Sequence, residues 1–167
     1  MDMSSPKMDN FTPSIRVRPV DALNIADLIC IGEETNLSRW SAQNYLDELK
    51  NTDAVLLRLV ADDNTTIGFV VGRFVPGGEV EVVTDAEIYN IAVRPDRQGK
   101  RFGQLLLDIF KAACHEREAT NIWLEVRESN TKAIKFYEKN GFERVQTRPS
   151  FYENPREHAV LMRLILE

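Results

Sequence analysis

The chain has 167 residues, of which 43% are hydrophobic and 28% charged, and its formal net charge is −5. This size and mixture are typical of one globular domain. The acidic balance argues against a nucleic-acid-binding protein, which normally carries a basic surplus. No apolar run approaches the ~18 residues that cross a bilayer, so we expect no membrane span. With two cysteines and two histidines, neither a disulfide framework nor a histidine-based metal site is expected.

The ends of the chain and its cysteines suggest the domain boundaries and the compartment. Residues 1–14 are polar, contain two prolines and lack the apolar stretch of a secretory signal, so we predict a flexible tail. Residues 15–167 show no linker and no internal repeat, which predicts a single domain. Cys30 and Cys114 lie in apolar helical patterns, which predicts buried, reduced thiols and a cytoplasmic protein.

Hydrophobic periodicity predicts the elements of the N-terminal half. The predicted strands cover residues 15–18, 54–60 and 66–75. The turn Asp62-Asp63-Asn64 makes the last two strands a hairpin. One amphipathic helix is predicted over residues 21–34. A second begins after Ser41, an N-cap residue, and carries Tyr45, Leu46 and Leu49 on its apolar face.

Strands and helices alternate in the predicted C-terminal half. The predicted strands cover residues 88–93, 122–126, 142–146 and 159–166. Two helices separate the first three strands, and the second of these helices is capped by Asn130 and ended by Asn140-Gly141. The first helix has an apolar stripe of Phe102, Leu105, Leu106, Ile109, Phe110 and Ala113. Strand–helix–strand order over residues 88–142 predicts an α/β fold with a partly parallel sheet.

The connection between the strand 88–93 and its helix is strongly basic. Residues 94–101 carry four basic side chains and one acidic one, a local charge of +3 in a chain whose remainder carries −8. A helix N-terminus presents unpaired N–H groups, and glycines let the backbone approach a ligand, so the segment predicts a phosphate site. A charged surface turn would have the same composition. The P-loop pattern fails at Lys100-Arg101, and a dinucleotide fingerprint lacks its third glycine.

The residues Gln98-Gly99-Lys100-Arg101-Phe102-Gly103 resemble motif A of the GNAT superfamily of N-acetyltransferases, Gln/Arg-x-x-Gly-x-Gly/Ala. Arg101 replaces the middle glycine of that pattern. Two later strings strengthen the resemblance: Leu-Glu-Val-Arg-Glu-Ser-Asn over residues 124–130 and Phe-Tyr-Glu-Lys-Asn-Gly-Phe over residues 136–142. They are similar to the RimI branch, whose enzymes acetylate the N-terminal alanine of a small-subunit ribosomal protein. The resemblance covers residues 15–167 loosely and 88–142 tightly.

The resemblance implies a GNAT fold, in which helices flank a central mixed β-sheet, and acetyl-CoA as the acetyl donor, without a metal. It implies that Asn130 contacts the cofactor and that the pantetheine arm pairs with the backbone of Ile91, Ala92 and Val93. The pyrophosphate would lie on backbone N–H groups of Gly99, Lys100, Arg101, Phe102, Gly103 and Gln104. For Arg101 we expect a negative φ, as in a first helical turn, and a guanidinium within reach of a phosphate.

Glu125 resembles the general base of the family and Tyr137 its general acid. The reaction needs a base for the amine proton and a donor for the leaving thiolate. In an extended strand Glu125 shares a face with Trp123 and Arg127, and partial desolvation by the tryptophan would make it a better base. The alternatives are a Glu125 that is paired with Arg127 or solvated at a strand end, and a Tyr137 that is only a core aromatic. A tyrosine hydroxyl stays protonated at neutral pH, as an acid must.

The predicted acceptor is a protein N-terminal α-amine. An acidic stretch, Glu79, Glu81, Asp85 and Glu87, precedes the predicted cofactor strand and would attract a basic partner such as a ribosomal protein. Two alternatives stay open: a GNAT enzyme acting on a lysine side chain or a small-molecule amine, and a non-catalytic acyl-CoA-binding module. In the second alternative Glu125 and Tyr137 would have no role.

Overall fold

A mixed β-sheet forms the centre of the protein. The computed structural model describes residues 14–37, 39–77 and 84–167, and within them seven strands form one sheet in the order β1-β2-β3-β4-β5-β7-β6. The strands β4 and β5 are parallel, whereas the other neighbouring pairs are antiparallel. Residues 1–13 of the predicted tail lie outside the described residues, as do Glu79 and Glu81.

The bounds of the elements agree closely with the predicted periodicity. The strands are β1 Arg16–Pro19, β2 Ala54–Val60, β3 Thr66–Pro76, β4 Thr84–Val93, β5 Asn121–Arg127, β6 Glu143–Glu153 and β7 Arg156–Ile165. The helices are α1 Ile25–Glu34, α2 Ala42–Leu49, α3 Phe102–Glu116 and α4 Thr131–Lys139, with 3-10 turns at Ala22–Asn24 and Pro95–Arg97. The predicted central mixed sheet flanked by helices is confirmed.

Helices cover both faces of the sheet. On one face α1 and α2 bury Leu28, Ile31 and Tyr45 against β3. On the other face α3 and α4 bury Phe110 and Ile134 against the central strands. Each fully buried side chain of this size contributes roughly 1.5–3 kcal/mol, so the two layers supply much of the stability.

Two predictions of burial were wrong by one position on a helix. Leu105 is 38% exposed, and Leu107, which was not predicted to be buried, is fully buried in α3 instead. Cys30 is exposed, because the side chains that face the sheet from α1 are those of Leu28 and Ile31. Successive helical residues differ by about 100° in direction, so a neighbour of a core residue faces elsewhere. The predicted buried thiol is confirmed at Cys114, where burial raises the pKa to about 12.

The helix caps follow the sequence. The Ser41 hydroxyl accepts a hydrogen bond from the Asn44 N–H at 3.2 Å, in a capping box that begins α2. The Asn130 side chain accepts one from the Ala133 N–H at 3.1 Å and begins α4. Gly141, with a φ of 88°, follows the end of α4. The last two strands are longer than predicted, because two register shifts interrupt the alternation of β6.

A β-bulge in β4 sets the geometry of the sheet centre. Val71 of β3 pairs with Asn90 and Gly72 with Ile88, so Tyr89 is the extra residue of β4. A bulge bends its strand and increases the local twist. The bend requires glycine at position 72, because an added Cβ would overlap the Glu87 carbonyl oxygen and lie 2.5 Å from the Phe110 ring.

We predict that Gly72→Ala lowers the free energy of unfolding by about 2 kcal/mol, since neither a strand backbone nor a fully buried ring can yield easily. Denaturant unfolding measures the change. The matched control is Gly103→Ala in the first turn of α3, where no heavy atom lies within 4 Å of the new Cβ. That variant should be neutral or more stable by up to about 1 kcal/mol. A Gly72→Ala protein as stable as wild type would contradict this account of the bulge.

Candidate active site

A cleft of about 740 Å³ opens where β4 and β5 separate. Their parallel pairing runs from Asp85 and Asn121 to Ile88 and Leu124. The bulge at Tyr89 follows at once, and the next residues of β4 lie beside the cleft with α3 and α4. The edge of β4 that faces β5 therefore has backbone groups available for a ligand beyond Ile88.

Most of the predicted cofactor residues meet in this cleft. The glycine-containing loop, the start of α3, the cap of α4 and the end of β4 all contribute to its wall, and so does Tyr137. Lys100 is the exception, because it is not among the lining residues. The lining residues that the sequence predicted are Ile91, Ala92, Val93, Gly99, Arg101, Phe102, Gly103, Gln104 and Asn130.

The cleft is cationic. Arg101, Lys132 and Lys139 line it, and no carboxylate does among the residues that the structure describes. Sequence reading missed the two lysines of α4, although their spacing was a signal. Residues 132, 136 and 139 fall at i, i+4 and i+7, which is one face of a helix. A cleft lined by three cations suits a polyanionic ligand.

The start of α3 leaves its first N–H groups free of side-chain caps. Arg101, the N-cap residue, makes no side-chain hydrogen bond to the helix, and no acidic residue lies in the first turn. The loop before it is held in place by Gln98, whose Nε2 donates to the Val93 carbonyl oxygen at 3.1 Å. Its Oε1 accepts from Lys132 Nζ at 3.0 Å. Such a helix N-terminus is suited to a phosphate.

Arg101 differs from its prediction. Its φ is 65° and its ψ is 13°, which is the left-handed region, whereas we expected a negative φ. Gly99, two residues earlier, also has a positive φ of 76°. The chain passes from an extended Gln98 into the helix within three residues, and this turn needs left-handed backbone. A glycine at position 101 would adopt it at no steric cost, while a side chain there costs roughly 1–2 kcal/mol.

A smaller cavity of about 90 Å³ lies on the far side of Tyr137. Glu125 lines it from β5, Asn90 from β4 and Tyr152 from the final hairpin. Tyr137 and Asn130 line both cavities. The predicted base and acid therefore line the same small cavity, and this cavity adjoins the cationic cleft at Tyr137, Asn130 and three further shared residues, Leu37, Ile91 and Ala133.

Glu125 pairs with an arginine that sequence reading missed. The Arg148 guanidinium, on β6, donates to Glu125 Oε1 and lies 4.6 Å from the Phe151 ring centroid. Arg127, the alternative partner, binds Glu157 at 3.2 Å instead. Arg148 lies 23 residues beyond Glu125 and after the predicted end of its strand, so no local pattern marks the contact.

Trp123 belongs to a different network from Glu125. Its Nε1 donates to Asp85 Oδ2 at 2.8 Å, and Thr120 Oγ1 and Asn121 Nδ2 each donate to Asp85 Oδ1 at 2.9 Å. The prediction that Asp85 belongs to an acidic stretch preceding the cofactor strand was wrong. Asp85 and Glu87 both lie within β4, and Asp85 is buried because it joins β4 to β5.

Tyr137 is both a core aromatic and a wall of the two cavities. It is 6% exposed, and the rings of Phe136 and Phe142 lie 5.3 and 5.4 Å from its own. Burial, with a smaller contribution from the neighbouring Tyr152, raises the pKa of its hydroxyl well above the usual value of 10. Because the neutral form is favoured further, the hydroxyl remains a proton donor throughout the physiological pH range.

The described residues hold no group of three or more histidines, cysteines or carboxylates arranged to hold a metal ion. Among the same residues, no helix is long and apolar enough to cross a bilayer.

Comparison with known proteins identifies the family. The family model "Acetyltransferase (GNAT) family" matches residues 23–142. A [ribosomal protein bS18]-alanine N-acetyltransferase of Haemophilus influenzae is 34% identical over 152 residues, which are 87% of this chain and 95% of that protein. The protein of the same name from Haemophilus ducreyi is 36% identical over 140 residues, which are 81% of this chain and 90% of that protein.

Solved structures show the same fold. The ribosomal-protein-S18-alanine N-acetyltransferase of Escherichia coli superposes with a TM-score of 0.79 at 24% identity, over 92% of this chain and 95% of the other. Ard1 from Thermoplasma volcanium superposes with a TM-score of 0.81 at 24% identity, over 92% and 98%.

The chain therefore belongs to the acetyltransferase (GNAT) family. It has the GNAT fold and is an acetyl-CoA-dependent N-acetyltransferase, as the sequence predicted. The relatives named [ribosomal protein bS18]-alanine N-acetyltransferase belong to the RimI branch, which the strings over residues 124–130 and 136–142 indicated. The cationic cleft, the uncapped helix and the open edge of β4 fit the diphosphate and the extended arm of acetyl-CoA.

We predict that acetyl-CoA raises the melting temperature and that Arg101→Gly weakens its binding by about five- to tenfold at low salt, and less at high salt. At 100 times its dissociation constant, the ligand should stabilise the protein by about 2.7 kcal/mol. Without ligand, Arg101→Gly should be as stable as wild type or more stable, because glycine relieves the left-handed backbone. Titration calorimetry at two salt concentrations and thermal melts measure these effects.

The matched control for this prediction is Lys100→Gln. It removes the adjacent positive charge, but position 100 does not line the cleft, so its effect on affinity should be smaller. Equal losses for the two variants would show that only the overall charge of the loop matters. Tighter binding by Arg101→Gly would show that the guanidinium does not contact the cofactor.

Proposed function

We propose that this enzyme transfers the acetyl group of acetyl-CoA to the N-terminal α-amine of a protein, and that a ribosomal protein beginning with alanine is its substrate. One observation carries the proposal: Tyr137 lines both a cationic cleft, suited to the donor, and an adjoining cavity that holds a carboxylate, Glu125. Relatives named [ribosomal protein bS18]-alanine N-acetyltransferase, at 34–36% identity over most of their length, support this choice of acceptor.

The donor would occupy the larger cleft. The pyrophosphate would lie on the N–H groups at the start of α3, near Arg101, and the arm would follow the free edge of β4 at Ile91, Ala92 and Val93. Bound acetyl-CoA supplies a thioester carbonyl and a thiolate leaving group. A backbone N–H of β4 would stabilise the negative charge that develops on the carbonyl oxygen.

Glu125 would take the proton of the acceptor amine, directly or through a water molecule. It lines the small cavity together with Tyr137, next to the donor cleft, so an amine in that cavity would be within reach of both groups. Arg148 orients the carboxylate through their ion pair. Tyr137 would protonate the leaving thiolate, and its raised pKa means that the proton is present on the hydroxyl when the thiolate forms.

An α-amine suits a single carboxylate base better than a lysine does. An α-amine has a pKa near 7.7–8.0 and a lysine side chain one near 10.4. Deprotonation at pH 7 therefore costs about 1.2 kcal/mol for the α-amine and about 4.6 kcal/mol for lysine. No histidine lines either cavity among the described residues, so Glu125 would act without one.

We further propose that residues 15–167 form one acetyltransferase domain and that the enzyme works in the cytoplasm, where ribosomal proteins are made. The single sheet that includes β1 and β7 supports the first of these proposals.

We predict that Glu125→Gln and Tyr137→Phe each lower turnover by about 10²- to 10⁴-fold and leave acetyl-CoA affinity nearly unchanged, because both act on protons in the reaction. Release of CoA from saturating acetyl-CoA and an alanine-initiated peptide measures turnover, and calorimetry measures affinity. The control is Glu128→Gln, which removes an exposed carboxylate just beyond β5. Near-wild-type turnover in both variants would show that these roles are wrong.

We predict that the enzyme prefers an α-amine in a direct competition. One peptide has a free N-terminal alanine and no lysine, and the other has the same sequence with a blocked N-terminus and one internal lysine. Mass spectrometry of the mixture should show acetylation of the first peptide at least tenfold faster. Faster acetylation of the blocked peptide would assign the enzyme to lysine side chains, and a preference for polyamines over both would assign it to small-molecule amines.

A further inference from the structure

Asn90 is a buried polar side chain whose donor group is unused. It is 3% exposed, and its Nδ2 finds no hydrogen-bond partner in the described ranges. A buried donor without a partner loses its hydration and gains nothing in return, so native proteins rarely contain one without a reason. The usual reasons are a water molecule or a ligand that completes the bond.

The bulge in β4 directs Asn90 toward the acceptor side of the sheet. Ile88 and Ile91 pack on the side of α3, whereas Tyr89 and Ala92 pack on the side of α1. Strict alternation from Ile91 and Ala92 places Asn90 on the α1 side. Tyr89 and Asn90 are therefore consecutive residues on one face, as a bulge allows. Strict alternation onward from Ile88 and Tyr89, without a bulge, would instead turn Asn90 toward the core beneath α3.

Glu125 lies on the same side of the neighbouring strand. Leu124 and Val126 pack against the α3 layer, so Glu125 between them faces the other way. β4 and β5 are still paired at Ile88 and Leu124, and Asn90 and Glu125 follow within two residues. Both line the small cavity. The Asn90 donor and the Glu125 carboxylate therefore open into the same small space of about 90 Å³.

We propose that Asn90 positions the acceptor by donating a hydrogen bond from Nδ2 to the first carbonyl oxygen of the acceptor chain. This inference rests on the proposed function, with Glu125 facing the amine. A chain with a free N-terminus carries a carbonyl on the carbon that bears its amine, so the two groups lie only about 3 Å apart. A lysine side-chain amine and a polyamine have no carbonyl at that place. Asn90 thus selects α-amines that begin a peptide.

The test compares two acceptors and two proteins. One acceptor is an alanine-initiated peptide, and the other has its first peptide bond replaced by a trans-alkene, which keeps the shape but has no carbonyl oxygen. Wild type should favour the natural peptide by about tenfold or more in kcat/KM, the effect of one buried hydrogen bond. In Asn90→Leu, of similar size but without a donor, the preference should fall below twofold, chiefly through KM.

Stability distinguishes this role from a structural one. If the Asn90 Nδ2 group has no partner in the free enzyme, Asn90→Leu should melt at the wild-type temperature or above, because the substitution removes an unpartnered buried donor. If Asn90 instead binds a structural water molecule, the variant should melt lower and slow both acceptors equally, which would overturn the proposal. Asn90→Ala, which removes the donor without adding bulk or charge, answers the same question should the leucine variant fail to fold.

The proposed function and this inference fail in different ways. A wild-type enzyme that acetylates neither acceptor, but acetylates a lysine or a polyamine, contradicts the proposed function and with it the inference. A wild-type enzyme that acetylates the natural peptide and discriminates against the alkene as strongly after Asn90→Leu contradicts the inference alone.

Discussion

The site depends on the separation of β4 from β5. The strands are paired up to Ile88 and Leu124, and the bulge at Tyr89 then bends β4 away. One distortion has three consequences: it frees a backbone edge beside the cationic cleft, it opens the face that carries Glu125, and it leaves room for Tyr137 between them. A regular strand at this point would close the sheet and remove both cavities.

Charge is used differently on the two sides of this separation. Where β4 and β5 are still paired, Asp85 accepts three side-chain hydrogen bonds and holds the ends of the two strands together. Beyond the paired part, the loop before α3 and one face of α4 supply the cations of the larger cleft. Among the described residues, no carboxylate lines that cleft. The net charge of −5 therefore conceals a local positive site, which only the position of the basic residues reveals.

Features set by neighbouring residues could be predicted from the sequence, and those set by distant contacts could not. The caps at Ser41 and Asn130 and the succession of strands and helices along the chain were correct because turn chemistry and periodicity are local. The stripe of α3 was correct except that Leu105 is exposed and Leu107 is buried, because the adjacent residues 105–107 are all leucine and only packing selects among them. The φ of Arg101 was wrong because a short loop between fixed elements can impose a conformation that the side chain disfavours.

The ion pair of Glu125 with Arg148 is the part of the site that the sequence predicts least. It also bears on how the proposed acceptor amine would bind. Arg148 is 47% exposed and Glu125 23%, and ion pairs so open to water contribute little net free energy. A protonated acceptor amine could therefore replace the guanidinium at small cost. The carboxylate would hold one cation in the free enzyme and another in the complex, so it would never be left unpaired in the cavity. As the proposed base, Glu125 would bind an amine in its charged form, the major form at neutral pH, before removing the proton.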